Sequence, residues 1–129
     1  MRVLLDTNVV LWWLTGDVQL NDVALATINA PDNEVIVSVV SLWEIVIKVR
    51  IGKLKASLDE IEQVLEQEGV SRLGVSSAHL RALGTLPTHH RDPFDHLLIA
   101  QAIAEGVVFL TGDRQASLYP VPVGAAWRA

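Results

Sequence analysis

Apolar and polar positions divide the 129-residue chain into short segments whose period changes repeatedly. Residues 2–5, RVLL, apolar after Arg2, predict a buried strand. Residues 8–14 predict a short helix, apolar almost all round and ending near Gly16. A second helix is expected over 21–30, closed by Pro31, and a Val/Ile-rich strand over 34–39. Ser41 and Glu44 have capping-box spacing and predict a helix to about Arg50, ended by Gly52. Ser57 and Glu60 repeat that spacing and open an acidic amphipathic helix to Glu68, before Gly69. A short strand over 70–75, a helix over 76–83 and a loop from Gly84 to Asp92 follow. Asp92-Pro93 places an N-cap before proline at the first helical position, predicting a helix that ends at Gly106. The last elements expected are strands over 107–110 and 121–125, with a turn at Thr111-Gly112-Asp113 between them. Strands alternating with helices imply a mostly parallel central sheet flanked by helices on both faces, an α/β fold. No repeat or linker interrupts it, so residues 1–129 read as one domain.

Composition narrows the function. Half the residues are hydrophobic, yet no apolar run approaches the ~18 residues that span a bilayer. No membrane association is therefore expected. The chain has no cysteine, which removes disulfides and thiolate metal sites. With no leader-like segment at the N-terminus, a cytoplasmic location is expected. Fifteen acids against ten Lys and Arg give a net charge of −5. A binder of nucleic acid relying on overall charge would be basic, so a polyanionic substrate would need positive charge supplied locally.

Ligand sites in parallel α/β folds form outside the carboxyl ends of the strands. Four acids fall there. Asp6 follows the first strand, and Asp113 follows the late strand VVFLT. Glu44 is expected in the first turn of the helix after the second strand, on one face with Ile47 and Ile51. Asp95 opens a stripe with Leu98, Ile99 and Ala102, which turns it toward the sheet. Each has a local explanation. Asp6 can cap the helix from Asn8, Glu44 can pair with Lys48 at i+4, Asp95 suits a helix N-terminus, and Asp113 suits a turn. Asn8, Thr111 and Asp92 carry the same ambiguity between capping and supporting a site. Convergence changes the weight: two carboxylates ~4 Å apart repel by about 4 kcal/mol at an effective dielectric of ~20. A packed group needs protonation or a cation, and oxygen-only ligands favour Mg²⁺ or Mn²⁺.

The segments LLDTNVVLWWL, SVVSLWEIVIKVRIGKL, RDPFDHLLIAQA and VFLTGD resemble, in order, the motifs of PIN-domain ribonucleases of the VapC toxin type. The resemblance covers nearly the whole chain. It implies a PIN fold and metal-dependent hydrolysis of RNA phosphodiester bonds, leaving a 5′-phosphate and a 3′-hydroxyl. It implies that Asp6, Glu44, Asp95 and Asp113 bind the ions. It also implies a homodimer held in check by a small VapB-like antitoxin. Gly112 departs from the pattern, since many relatives carry a basic or polar residue between Thr and Asp.

Other features are less specific. His89, His90 and Arg91 lack zinc-site spacing and read as a solvated loop, and His79 and His96 as ordinary helix residues. KVRIGKLK, carrying Lys48, Arg50, Lys53 and Lys55, is the basic cluster; it suits a helix C-terminus and can also guide RNA. Trp12 and Trp13 leave their helix without a polar face, so part of it is expected in the core and the rest as an apolar partner surface. Two other functions compete. A PIN-like module without activity would keep the acids and only bind. An aspartyl-phosphate domain would want a lysine after a late strand, where this chain has Asp113.

Overall fold

In the computed structural model, residues 1–89 and 92–127 are described; His90 and Arg91 of the expected solvated loop lie outside them. Five parallel strands form one sheet: β1 (Arg2–Leu5), β2 (Glu34–Ser38), β3 (Ser71–Leu73), β4 (Val108–Thr111) and β5 (Val123–Ala125). Their spatial order is β3-β2-β1-β4-β5. The helices are α1 (Thr7–Thr15), α2 (Asp22–Asn29), α3 (Val39–Arg50), α4 (Leu58–Gln67), α5 (Ser77–Gly84) and α6 (Pro93–Glu105), with a 3₁₀ turn over Arg114–Leu118. The expected α/β architecture is thus present.

The strands are apolar at successive positions because both faces of the sheet are covered. Val3 and Leu5 of β1, with Val35 and Val37 of β2, join a core that includes Val9, Val10, Ile45, Ile61 and Leu65. Leu4, Ile36 and Phe109 point the other way, into a second core with Leu98, Ile99 and Ala102 of α6. This is the period-two alternation of a strand. β1 lies between β2 and β4, in register Val3↔Val35 and Val3↔Val108. Whatever follows β1 is therefore held from both sides.

One element starts earlier than the sequence pattern implies. α3 begins at Val39 with Ser38 as its N-cap, not at Ser41. Ser38 Oγ accepts from the Val40 N–H at 3.0 Å and donates to Gln101 Oε1 at 2.5 Å. Val39 and Val40 look strand-like, but this cap and the burial of Val40 decide the boundary. Ser41 becomes an interior residue, accepting from the Thr7 hydroxyl at 3.0 Å. The remaining boundaries move by a few residues: β3 and β5 are shorter than expected, and a 3₁₀ turn follows Asp113.

Candidate active site

The chain builds outward from β1 to β3, then returns to the far side of β1 at β4. Strand order reverses there, so the connections leave β1 and β4 in opposite directions and open a crevice at their carboxyl ends. Asp6 stands just after β1, while Thr111 ends β4 and Asp113 follows two residues on.

Asp6 has both roles considered for it. One carboxylate oxygen caps α1, accepting from the Asn8 N–H at 3.4 Å. The other accepts from the Thr111 hydroxyl at 2.5 Å. Its own N–H donates to the Leu110 carbonyl at 2.9 Å, extending the β1–β4 ladder by one residue. The residue is 4 % exposed. Burial pushes its carboxyl up to about 6, against the Thr111 and Asn8 hydrogen bonds; the negative charges of Glu44 and Asp113 push the same way as burial. Thr111 Oγ1 also accepts from the Asp113 N–H at 2.9 Å, so one hydroxyl sets two acids.

Asp95 is the third residue of α6. Asp92 is the N-cap of that helix, accepting from the N–H groups of Phe94 and Asp95 at 3.0 and 3.2 Å. Half-buried Asp95 is pushed up to about 8, first by burial and then by the charges of Asp6, Asp92, Glu44 and Asp113. Four other acids thus act on this one carboxyl. Asp113 caps the 3₁₀ turn through the Gln115 N–H at 2.9 Å, so its turn role is real as well. Asp6, Asn8, Asp95 and Asp113 line one cleft of about 530 Å³.

Glu44 is placed differently from expectation. It lies mid-way along α3, not in its first turn, because that helix starts at Val39. It is 6 % exposed, whereas Ile51, expected on its face, is exposed beyond the helix end. Glu44 Oε2 pairs with Lys48 Nζ at 3.0 Å, and Oε1 is buried with no hydrogen-bond partner. Glu44 is not among the residues lining the cleft, yet its charge reaches both Asp6 and Asp95.

This donor set fits a hard divalent cation such as Mg²⁺ or Mn²⁺. The ligands are all oxygens, and an unpartnered buried carboxylate oxygen is otherwise an unfavourable state. Among the described residues, no three His, Asp or Glu side chains already stand at ligand spacing around one point. Thr111 holds Asp6, so closure around an ion would require side-chain rotation; Lys48 holds only Glu44 Oε2 and leaves Oε1 unpartnered.

Several secondary readings change. His79 is no ordinary helix residue. It is 1 % exposed, and its Nδ1 accepts from the Ser76 N–H at 3.0 Å, a capping box with histidine in the usual Glu/Gln place. Its Nε2 meets Glu105 at 3.0 Å, and Gln101 bridges His79, Ser38 and the Gly74 carbonyl. The Ser-x-x-His spacing was the only sequence signal for this network. His96 Nε2 lies 3.1 Å from the Tyr119 hydroxyl, which also accepts from the His89 N–H at 3.0 Å. Trp12 and Trp13 are half-buried against the core beneath α1 instead of forming an open patch. Exposed apolar residues are spread over several helices, among them Val23 of α2, Val39 and Trp43 of α3 and Leu80 of α5. The departure at Gly112 has a steric reason: any side chain there would run into the Trp12 ring.

The carboxylates thus gather at the topological switch point of an all-parallel sheet, where folds of this kind place their ligand sites. The chain belongs to the PIN domain family, which it matches over residues 3–121. A chain of VapBC2 from Rickettsia felis, bound to a promoter DNA fragment, superposes with a TM-score of 0.78 at 19 % identity, covering 99 % of this chain and 100 % of that one. A chain of VapBC-5 from Mycobacterium tuberculosis, of the VapBC family of toxin–antitoxin systems, gives 0.62 at 22 %, covering 98 % of each. A chain of FitAcB from Neisseria gonorrhoeae gives 0.68 at 18 %, covering 98 % and 99 %. No curated protein matches the sequence. Among the described residues, no helix is long and apolar enough to cross a membrane.

Proposed function

We propose that this PIN domain is a Mg²⁺- or Mn²⁺-dependent endoribonuclease, the toxin of a VapBC-type pair. The observation that carries the reading is that Asp6, Asp95 and Asp113, from three segments, line one cleft, and that the charges of Glu44 and Asp113 reach both Asp6 and Asp95 and raise their proton affinity. These four residues would hold the metal. When bound, one or two such ions supply an activated water and neutralise the leaving oxygen of a phosphodiester. Thr111 ties the Asp6 side chain to the Asp113 backbone, so the two acids are positioned relative to each other across the crevice. Asn8 is exposed at the cleft wall, where its amide can donate to a phosphate oxygen. Asp92 supports Asp95 as a cap instead of acting as a ligand. Water replaces the 3′-oxygen on phosphorus, which leaves a 5′-phosphate and a 3′-hydroxyl and needs no side-chain nucleophile.

The structural relatives come from complexes described as VapBC, which supports a VapB-like antitoxin as partner of this chain. A homodimer follows from the same reading, with exposed Val39 and Trp43 of α3 as candidate contact residues. One observation favours a different reading, an inactive binding module: Lys48 already neutralises Glu44 from within the chain.

The test is to incubate the purified chain, freed of any partner, with total RNA and Mg²⁺, Mn²⁺ or EDTA, and to map the ends. Metal-dependent cuts bearing 5′-phosphates, lost in Asp6→Asn, are expected. Intact RNA under every metal condition would leave the binding module as the better description.

A further inference from the structure

The cleft that holds the carboxylates also has an aromatic wall. Trp12 projects into it from α1, and Trp127 from the segment just past β5. Both are half-buried and reach the same 530 Å³ space as Asp6, Asp95 and Asp113. Trp12 is held against Gly112, the one residue between Thr111 and Asp113, where only a hydrogen leaves room for the ring. The Ala126 N–H donates to the Thr111 carbonyl at 2.8 Å, and the Trp127 carbonyl accepts from Asn21 Nδ2 at 2.9 Å. Residue 127 is therefore anchored beside the end of β4. The Arg114 guanidinium lies over the Trp127 ring, 5.4 Å from its centroid, and adds a cation at the rim of an otherwise acidic site.

An aromatic face adjoining a cation-binding carboxylate cluster matches the two parts of a nucleotide: a base that stacks and a phosphate that the ions would hold. We propose that Trp12, Trp127 and Arg114 form a subsite for one unstacked nucleobase of single-stranded RNA next to the scissile phosphate. The inference rests on the ribonuclease reading. It offers a chain of net charge −5 a contact with RNA that does not depend on overall charge. Such stacking needs an unpaired base, since a base inside a duplex cannot present its face to a side chain. Stacking is tolerant of base identity, so the subsite selects for unpaired structure more than for sequence.

The test measures binding separately from cleavage. A fluorescein-labelled single-stranded oligoribonucleotide is titrated against the whole chain with Ca²⁺ in place of Mg²⁺, and anisotropy gives Kd. The same strand lacking one base at successive positions, and its duplex, serve as competitors. Trp127→Ala is expected to weaken single-strand binding by about 5- to 100-fold, Trp127→Phe to restore most of it, and Trp12→Phe to have a small effect. One abasic position should compete as poorly as the duplex. Unchanged Kd in Trp127→Ala, with a flat abasic series and RNA cleavage intact, would overturn the subsite and leave the ribonuclease reading standing. A chain that neither binds nor cuts RNA would overturn both. Loss of antitoxin binding in Trp127→Ala without loss of RNA affinity would assign the wall to a protein partner and overturn the subsite as well.

Discussion

Asp95→Asn should make the metal-free protein more stable. Asp95 is held up at about 8 against a usual 3.8, through burial and four neighbouring acids. At ~1.4 kcal/mol per pH unit, that displacement sets an upper limit of ~6 kcal/mol. Asp95 is only half-buried, and water screens its neighbours, so about 2–3 kcal/mol is the workable figure. The sign follows from proton binding. The folded acid binds its proton more tightly than the unfolded acid, so its contribution to stability falls as pH rises from about 4 and levels off above about 8. Asparagine resembles the protonated form and removes that dependence. In EDTA the variant should match wild type near pH 4 and exceed it near pH 8.5 by about 6–12 °C in Tm, for a domain of this size. Mn²⁺ should reverse the order, because only wild type keeps the full ligand set. Calorimetric melts at both pH values, with EDTA and with Mn²⁺, measure all four cases. A Tm gap of the same size at both pH values in EDTA, or a variant less stable than wild type at pH 8.5, would refute the crowding of carboxylates on which the site is built.

Thr111→Val deletes the hydroxyl that joins Asp6 to the Asp113 backbone; stability should fall by about 1–3 kcal/mol and cleavage should drop without a change in RNA affinity, as read by urea melts and by a split of kcat from KM. Lys48→Met leaves Glu44 buried without its partner, so the metal-free protein should unfold at lower denaturant while its apparent affinity for Mn²⁺, followed by calorimetric titration, rises. His79→Leu strands the Ser76 N–H and Glu105 and should cost about 2–4 kcal/mol in urea melts while leaving kcat within a few-fold, since the ring is remote from the cleft lining. Gly112→Ala should displace the Trp12 ring, and its intrinsic fluorescence should report a more solvated indole.

The fold was legible because its signals are local and agree with one another. Apolar runs marked β1, β2 and β4, with Pro31 ahead of β2 and Gly106 ahead of β4, and Asp92-Pro93 and Gly106 marked both ends of α6, where the structure has them. The start of α3 was not legible, because two serines three residues apart both offer a cap. The choice of Ser38 depends on Gln101, 63 residues away in sequence. The placement of Asp6 and Asp113 at one crevice also followed from pattern, since any residue just past β1 or β4 lands at the switch point. What pattern cannot carry is the state of each carboxylate. Asp6 and Asp95 are raised by groups that approach only on folding, and Glu44 is paired by a lysine one turn along while its other oxygen is left bare. The aromatic wall is hidden for the same reason. Trp12 reads as one apolar residue in an apolar helix, and only its fit against Gly112 turns it toward the acids. Capping and the gathering of acids at one crevice are therefore not competing explanations here. The cap geometry of Asp6, Asp92 and Asp113 points backbone N–H groups at carboxylates, while Asp6, Asp95 and Asp113 line one cleft at the sheet's reversal, where on the proposed reading a doubly charged ion would relieve their repulsion.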